Sequence, residues 1–363
     1  MKRLFTSESV CSGHPDKICD LIADSILDEA IRQDKGSHMA VECTIKDQFV
    51  LIYGEANTKA DIDYAAIARK VLKDIGYNEE FEVLVKVNRQ SPEIDNAVIS
   101  HELAAGDQGI MFGYACKESK SYMPHSIDLA HMLAKKLEEV RRANPEVLKP
   151  DGKTQVTVEY DDDKVVRIDT ILVSTSHFED ISQEEIKKLV KEEVIDAVIP
   201  KDLIDDDTKF IINPSGKFTI CGPEGDSGTT GRKIVVDTYG GVGRIGGGCF
   251  SSKDPTKVDR SAAYYARYVC KNLVANGLCE RCELQLAYAI GQSKPVSVAI
   301  DTFHTGIYPD DKILEIIMDN FDFSVSNIIE ELDLLRPIYA STVNYGHFGK
   351  PYLPWEKIIS LKY

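Results

Sequence analysis

Three pairs of short segments along the chain alternate apolar and polar residues, and a polar turn joins the two members of each pair. The pairs are residues 41–46 with 49–55, 155–160 with 165–174, and 283–290 with 296–302. Alternation with a period of two is typical of strands that bury one face, and a short turn between two such strands predicts a β-hairpin. We therefore predict three hairpins.

A helical pattern follows each predicted hairpin. Apolar residues recur near a 3.6-residue period over residues 61–75 and 310–321, and residues 182–198 begin with a Ser-Gln-Glu-Glu capping box. Three hairpin–helix units predict an α+β fold of three related subdomains in a pseudo-threefold arrangement, each a β-sheet covered by helices. The alternative is chance recurrence of a common motif. Sheet faces without helices would pack on one another or on a second chain.

Two turn-rich breaks, at residues 144–152 and 213–216, are the predicted linkers. We predict an N-terminal subdomain over residues 1–101, a central one over 102–218 and a C-terminal one over 219–363.

The composition limits the partners of this protein. The net charge is −16 over 363 residues, whereas domains that bind nucleic acid are usually basic, so we expect no nucleic acid and a local cation cluster wherever an anion binds. We expect no membrane span, because no apolar run reaches about 18 residues, and no signal peptide. Nine cysteines without a framework of spacings indicate reduced thiols and a cytoplasmic enzyme.

Three familiar motifs fail on their context. Residues 241–246 match Gly-x-Gly-x-x-Gly after a strand-like stretch at 234–237, but the Gly-rich residues 247–255 cannot open the helix that a dinucleotide fold requires. Gly225-Asp-Ser-Gly resembles a protease nucleophile segment, yet no histidine base is marked and the helix-rich pattern opposes the fold. The same glycines have the wrong spacing for a P-loop.

The sequence Gly13-His-Pro-Asp-Lys17 combines a titratable donor, a hard metal ligand and a cation directly before a helical pattern at residues 19–30. A helix N-terminus favours bound anions. An ordinary helix start that contains proline is the alternative interpretation.

Residues 217–260 combine glycines, which allow close backbone approach, with cations that neutralise phosphate and aspartates that suit Mg²⁺. A solvated loop explains such a segment taken alone, but its density of cations in an acidic protein favours an anion site. The cations are Lys217, Arg232, Lys233, Arg244, Lys253, Lys257 and Arg260. The turn at Asp107 to Gly109 fits a surface turn and a lid equally well.

Together these segments resemble S-adenosylmethionine synthetases over essentially the whole chain. The resemblance is carried by residues 5–17, 90–92, 106–114, 151–157, 213–240, 246–264 and 345–349. It implies attack of methionine sulfur on C5′ of ATP, then hydrolysis of the tripolyphosphate to pyrophosphate and phosphate, with Mg²⁺ and K⁺ as cofactors. A thioether is already a neutral nucleophile, so stabilising the leaving polyanion is the dominant demand.

The resemblance also implies roles for individual residues. His14, Lys153, Arg232 and Lys253 would be catalytic, with His14 donating to the departing oxygen or the phosphates. ATP would be bound by His14, Asp151, Lys153, Lys217, Phe218, Asp226, Arg232, Lys233, Cys249 and Lys253, with Phe218 stacking on adenine. Methionine would face Glu55, Gln90, Asp107, Asp226 and Lys257. Asp16 and Asp259 would hold Mg²⁺, and Glu42 would hold K⁺.

Three further expectations follow from the resemblance. Residues 90–100 match a mobile loop that closes the site, although the chain looks shorter than many relatives before Gln90. The site would be built between two chains of a homodimer or dimer of dimers. Cys249 and Ser252 stand where alanine and glycine are common, and we expect this to alter nucleotide affinity without abolishing it. A catalytically silent homologue that senses ATP or methionine, and a hydrolase or kinase that cuts at phosphorus, are the alternatives.

Overall fold

The computed structural model describes residues 2–89 and 103–363. In this part of the chain the strands form three separate sheets, with the orders β1-β6-β7-β8, β11-β10-β5 and β4-β3-β2-β9. The strands are β1 (Lys2–Val10), β2 (His38–Lys46), β3 (Phe49–Asn57), β4 (Glu82–Asn88), β5 (Gly109–Cys116), β6 (Leu148–Asp161), β7 (Lys164–His177), β8 (Lys209–Ile212), β9 (Gly228–Thr229), β10 (Arg281–Tyr288) and β11 (Ser297–Asp301).

Helices cover one face of each sheet, which confirms the predicted α+β class. The long helix α1 packs on β2, α3 packs on β1 and β6, and α5 packs on β5 and β10. The α-helices of at least seven residues are α1 (Pro15–Gln33), α2 (Tyr64–Ile75), α3 (His125–Ala143), α4 (Gln183–Leu189), α5 (Val258–Ala275), α6 (Asp310–Asn320) and α7 (Val325–Glu331). No helix among the described residues is long and apolar enough to cross a membrane.

The three predicted hairpins are confirmed by antiparallel pairing. The strands on either side of each turn pair at Lys46 with Phe49, at Asp161 with Lys164, and at Ala287 with Ser297. Shifts of register interrupt the β6–β7 pairing, so only that hairpin departs from regular alternation.

The predicted helices are present with adjusted ends. The helix predicted at 61–75 begins at Tyr64, because the Asp63 side chain accepts the Ala66 N–H at 2.9 Å and caps it. Ser182 caps α4 through the Glu185 N–H, as the capping box predicted, but the helix widens into a π-helical stretch at Val190–Ile195 before one last turn at Asp196–Val198.

Two local predictions are wrong. Residues 234–237, predicted to be strand-like, form a helical turn, Ile234–Asp237, in which the Thr238 N–H donates to the Ile234 carbonyl at 3.1 Å. The break at 144–152 is not a linker throughout, because β6 begins at Leu148 and includes Pro150 and Gly152. By contrast, residues 213–216 do form a turn, closed by the Gly216 N–H on the Asn213 carbonyl at 2.9 Å.

The sheet built on β2 and β3 has one face covered by a helix and one face at the surface of the chain. Alternate residues of β2 are buried against α1, and the intervening side chains lie at the surface of the chain. Exposed apolar side chains occur on β3 and β4, with Phe49 38% and Leu84 53% exposed. The prediction that such faces pack on another surface stays a prediction.

Candidate functional site

The site begins where β1 turns into α1. His14 has an extended backbone and caps the helix, and its Nδ1 accepts the Asp16 N–H at 3.2 Å. Pro15 occupies the first turn, where its missing N–H costs nothing. The histidine is only 2% exposed, so the turn holds it rigidly at the helix N-terminus.

Helix α1 carries four aspartates at intervals of four residues, Asp16, Asp20, Asp24 and Asp28, which we call the aspartate row. This spacing places them on one face of the helix. Every member binds a segment distant in sequence, so the row fixes the loops around the site to one helix.

The first two aspartates of the row hold the segment after β9. Asp16 accepts from the Thr229 N–H at 2.9 Å and from Lys233 Nζ at 2.6 Å. Asp20 accepts the Gly231 N–H at 2.8 Å. Since these contacts alternate along the chain, the backbone on both sides of Arg232 is fixed.

The last two aspartates hold more distant segments. Asp24 binds Arg260 through two parallel bonds of 2.7 and 2.6 Å, and it also accepts from Ser251 Oγ at 3.0 Å. Asp28 accepts the backbone N–H groups of Tyr339 and Ala340, both at 2.9 Å. The buried face of α1 is therefore charged but fully paired.

Burial, together with the nearby ammonium groups of Lys233 and Lys153, lowers the pKa of His14 to about 3. The imidazole is therefore neutral at physiological pH. Because Nδ1 accepts the Asp16 N–H, the ring proton lies on Nε2, which is the atom left to donate.

The Asp16 carboxyl remains ionised. Burial opposes its charge, but the hydrogen bonds from Lys233 and from the Thr229 N–H outweigh burial, so its pKa lies below the ordinary value. Arg232 Nε lies 3.5 Å from the same carboxylate, and its side chain is 53% exposed. Two cations thus meet one carboxylate at the helix N-terminus, one of them largely open to solvent.

Asp151 lies behind this cluster. Its Oδ2 accepts the Gly222 N–H at 2.9 Å, whereas its Oδ1 is buried with no hydrogen-bond partner among the described residues. Burial raises the pKa of Asp151 to about 6, although the Gly222 N–H and the Lys153 charge oppose the rise. Lys153 itself is exposed on β6, opposite Val10 of β1.

A second group of predicted residues meets at the edge of β2. Ala40 bridges to Lys253 on one side and pairs with Glu55 of β3 on the other. Lys253 Nζ lies 2.5 Å from Asp259 Oδ2, and its side chain is 20% exposed. Glu42 lies two residues further along β2 and accepts from Tyr53 Oη at 3.3 Å.

Cys249 joins these two groups. A side chain at Gly231 would meet the Cys249 Sγ at 2.8 Å, so the thiol packs against the segment that Asp20 holds. Burial raises the pKa of this thiol, and the Lys253 charge opposes the rise. The thiol is therefore protonated and acts as a packing group.

Other predicted residues lie apart from these groups. Lys217 pairs with Glu179 at 3.2 Å on the surface, and the Phe218 N–H donates to His177 Nε2 at 3.1 Å. Lys257 Nζ is buried against Asp254 at 2.8 Å. Asp107 and Asp226 are exposed, although the Asp226 charge reaches His14. Gln90 and the predicted loop at 90–100 lie outside the described residues.

The donors at Asp16 and Asp259 fit a hard divalent cation. Both present carboxylate oxygens to a lysine ammonium, so each position already attracts positive charge. Within the described residues no group of three His, Cys, Asp or Glu side chains could hold a metal by itself. Mg²⁺ is commonly bound by one or two carboxylates together with substrate phosphates and water, so the arrangement suits a cation that arrives with a nucleotide.

Sequence reasoning missed most of the aspartate row and the direction of Lys17. We grouped Lys17 with the anion-binding turn, but its side chain is 1% exposed and points into the interior. The signal was present, because an aspartate every fourth residue from 16 to 28 is unusual on a helix face that is otherwise apolar.

Ser252 stands where glycine is common among the proteins that the sequence resembles. Its backbone has φ +82°, a left-handed conformation that favours glycine, and its Oγ is buried without a partner among the described residues. The strain is tolerated because its N–H donates to Asp24 at 3.1 Å.

Comparison with known proteins covers nearly the whole chain. Residues 2–95, 102–218 and 220–357 match the N-terminal, central and C-terminal domains of S-adenosylmethionine synthetase. Proteins named S-adenosylmethionine synthase from two strains of Staphylococcus epidermidis are each 52% identical to it over 382 aligned residues. The alignments cover 98% of this chain and 96% of each relative.

Proposed function

The chain belongs to the S-adenosylmethionine synthetase family, and we propose that it makes S-adenosyl-L-methionine from ATP and L-methionine. The observation that carries the proposal is the meeting of the His14 turn with residues 229–233 at the Asp16 carboxylate. The family's three domains are all present, and cations surround a neutral hydrogen-bond donor where the triphosphate would leave.

In the proposed reaction the methionine sulfur donates a lone pair to C5′ of ATP. The bond from C5′ to oxygen breaks, the electron pair leaves with the triphosphate, and sulfur becomes a sulfonium. No base is needed, because the sulfur carries no proton to remove. Hydrolysis then cuts the bound tripolyphosphate to pyrophosphate and phosphate.

The residues of this chain act on the leaving group. His14 Nε2–H donates to the departing oxygen or to a phosphate oxygen, and it can do so because the imidazole is neutral. Lys153, Arg232 and Lys253 face the triphosphate with charges that are partly exposed before it binds. A preorganised donor of this kind contributes about 3–4 kcal/mol to lowering a barrier.

Lys233 is held by Asp16 in the free protein, as Lys253 is held by Asp259. Asp151 and Cys249 lie close behind the phosphate-binding groups and shape the ATP site. Lys217 and Phe218 complete the adenosine end in the proposal, which requires Lys217 to leave Glu179. That exchange is inexpensive, because exposed ion pairs stabilise by about 0–1 kcal/mol.

Asp16 and Asp259 would hold Mg²⁺, and Glu42 would hold K⁺. A divalent cation bound with ATP supplies charge neutralisation for the phosphate oxygens. Lys233 and Lys253 occupy the two carboxylates in the free protein, so they must shift toward phosphate when the cation binds.

Methionine would face Glu55, Asp107, Asp226 and Lys257, with Gln90 from outside the described residues. A carboxylate near sulfur complements the positive charge that develops there. Glu55 and Lys253 flank Ala40, which supports a methionine end beside the phosphate end.

We place the complete site between two chains of a homodimer or dimer of dimers. The surface face of the β2–β3 sheet supports this, because it carries exposed apolar side chains beside Glu42 and Glu55. All nine cysteines are free thiols, which supports a reducing cytoplasmic compartment.

One assay tests the function against its alternatives. The protein is incubated with ATP, Mg²⁺ and K⁺, with and without methionine, and S-adenosylmethionine, pyrophosphate, phosphate and ADP are measured. The proposal requires methionine-dependent S-adenosylmethionine with pyrophosphate and phosphate. Nucleotide turnover that ignores methionine, or formation of ADP, would identify a hydrolase or kinase, and binding without turnover would identify a silent homologue.

The His14→Asn variant tests the assignment of steps. We expect a larger loss in sulfonium formation than in hydrolysis of added tripolyphosphate, because the Nε2 donor acts on the bond from C5′ to oxygen. Equal losses in both steps would reject that role.

A further inference from the structure

Lys17 is the one cation of the Gly-His-Pro-Asp-Lys turn that points away from the site. Its Nζ donates to Asp20 Oδ2 at 3.0 Å and to Asp237 Oδ1 at 2.6 Å. The side chains are 1%, 0% and 3% exposed, in that order. Such a group is expensive to leave half-paired, because each charge has lost its water. The three charged groups are therefore expected to stay together in the folded protein.

The two carboxylates bound by Lys17 lie at the two ends of residues 231–237, which include two cations of the candidate site. Asp20 accepts the Gly231 N–H at 2.8 Å, at the start of this segment. Asp237 ends it, and its own N–H donates to the Lys233 carbonyl at 2.8 Å. One buried ammonium thus fixes both ends of the segment.

The contact continues to the C-terminal Tyr-Gly-His-Phe-Gly sequence. The His347 N–H donates to the Asp237 carbonyl at 2.9 Å, and His347 Nδ1 lies 2.8 Å from Tyr264 Oη. Burial holds the pKa of His347 well below its ordinary value, so this histidine is neutral and leaves Asp237 to Lys17. The C-terminal sequence therefore supports the same anchor from behind.

We propose that Lys17 is a positioning residue for the adenosyl-transfer site, whose ammonium, clamped between Asp20 and Asp237, sets residues 231–237 so that Arg232 and Lys233 face the leaving triphosphate. Lys17 contacts no substrate. The inference rests on the proposed function and adds a residue to which neither the motif nor the comparison assigns this role.

The charge of Lys17 is secure in this setting. Burial disfavours an ammonium, but the two carboxylates outweigh it and raise the pKa above its ordinary value. Methionine has a side chain of similar length that ends in an uncharged methyl group. Lys17→Met therefore removes the ion pairs and keeps most of the packing volume.

The test compares Lys17→Met with Lys271→Met. Lys271 is a matched control, because its Nζ lies 2.7 Å from Glu356, both side chains are buried, and the hydrogen bonds of this pair go to Arg267 and Gly349 and not to residues 231–237. For each folded variant, kcat, the KM for ATP and for methionine, the melting temperature, and hydrogen exchange of the peptide over residues 229–237 are measured.

We expect Lys17→Met to lower kcat by about 100-fold, the effect of displacing a catalytic group by about 1 Å. The KM for methionine should stay within about twofold, because its binding groups are untouched. The peptide over residues 229–237 should exchange faster, and Lys17→Arg should recover part of kcat. Lys271→Met should show neither the kinetic loss nor the faster exchange at equal loss of melting temperature.

A folded Lys17→Met protein with the kcat and the exchange of the control would overturn the inference. If Lys17→Met does not fold, Asp237→Asn is judged by the same measurements and the same outcomes. Should the unmodified enzyme form no S-adenosylmethionine, the proposed function fails by itself. The exchange of residues 229–237 in the two variants, with and without inorganic tripolyphosphate, then decides the positioning role.

Discussion

Two ion pairs, Asp24–Arg260 and Asp259–Lys253, meet at the adjacent residues 259 and 260 and differ in almost every physical respect. The first is fully buried, with two parallel hydrogen bonds. The second has one bond, and its side chains are 20% and 14% exposed. The buried cation has no surface to offer a ligand, whereas the exposed one needs only a small movement. Sequence motifs treat both as cations of a phosphate segment, but only one can act as such.

We expect the largest effect from a substitution that breaks the buried Asp24–Arg260 pair. Arg260→Met leaves Asp24 charged in a dry interior, so we expect a loss of about 3–5 kcal/mol in the free energy of unfolding, measured in urea. Arg336→Met removes an exposed pair with Asp333 and should cost less than about 1 kcal/mol. Similar losses in the two variants would erase the contrast between the pairs.

The exposed pair should matter to catalysis and little to folding. We expect Lys253→Ala to lower kcat by about 10²–10³, the range for one electrostatic donor, and to shift the free energy of unfolding by less than about 1 kcal/mol. Steady-state kinetics and urea unfolding of the same preparation measure both. A kcat like that of the unmodified enzyme would remove Lys253 from the site.

Asp151→Asn tests a buried carboxylate that forms no ion pair with a neighbouring cation at hydrogen-bond distance among the described residues. The unfolded carboxyl ionises near pH 4, and the folded one ionises at about 6 because it is buried. Above pH 6 the folded protein therefore contains an ionised buried carboxylate, and asparagine should stabilise it by about 1–3 kcal/mol. The gain should disappear as the pH falls from 6 to below 4, because both states then bind the proton. A gain that is independent of pH would show that ionisation is not its source.

The smallest expected effect concerns backbone strain beside the buried pair. Ser252→Gly should raise the free energy of unfolding by about 1 kcal/mol, since glycine adopts φ +82° freely and no hydroxyl stays unpaired. Ser251→Ala is its counterpart and should lower stability by about 1–2 kcal/mol, because Ser251 Oγ donates to Asp24. A loss in both variants would contradict the strain interpretation.

The sequence predicted the hairpins and most helices because their signals are local. Alternation, a capping serine at 182 and polar turns act within a few residues of one another. It misjudged residues 234–237, where Ile-Val-Val-Asp has strand propensity, because the clamp on Asp237 holds a helical turn instead. Tertiary contact decided that segment, and propensity did not.

The candidate site was predictable as a set of residue types and not as an arrangement. The motif located His14 and Asp16 correctly at a helix N-terminus. It could not separate Lys17, which is buried, from Lys253, which is partly exposed, because both are lysines beside aspartates in sequence. Burial made that distinction, and burial depends on segments more than 200 residues away.

The aspartate row has a consequence for how the protein is made. The partners of Asp16, Asp24 and Asp28 lie 213, 236 and 311 residues downstream. At about 5–20 residues per second, a ribosome needs on the order of 15–60 s to add the last of them after α1 has been synthesised. Throughout that interval the acidic face of α1 can remain in water, because the last of its hydrogen-bond donors are the backbone N–H groups of Tyr339 and Ala340. A nascent chain stalled before residue 339 therefore carries α1 with a hydrated acidic face and lacks the segment that binds Asp28.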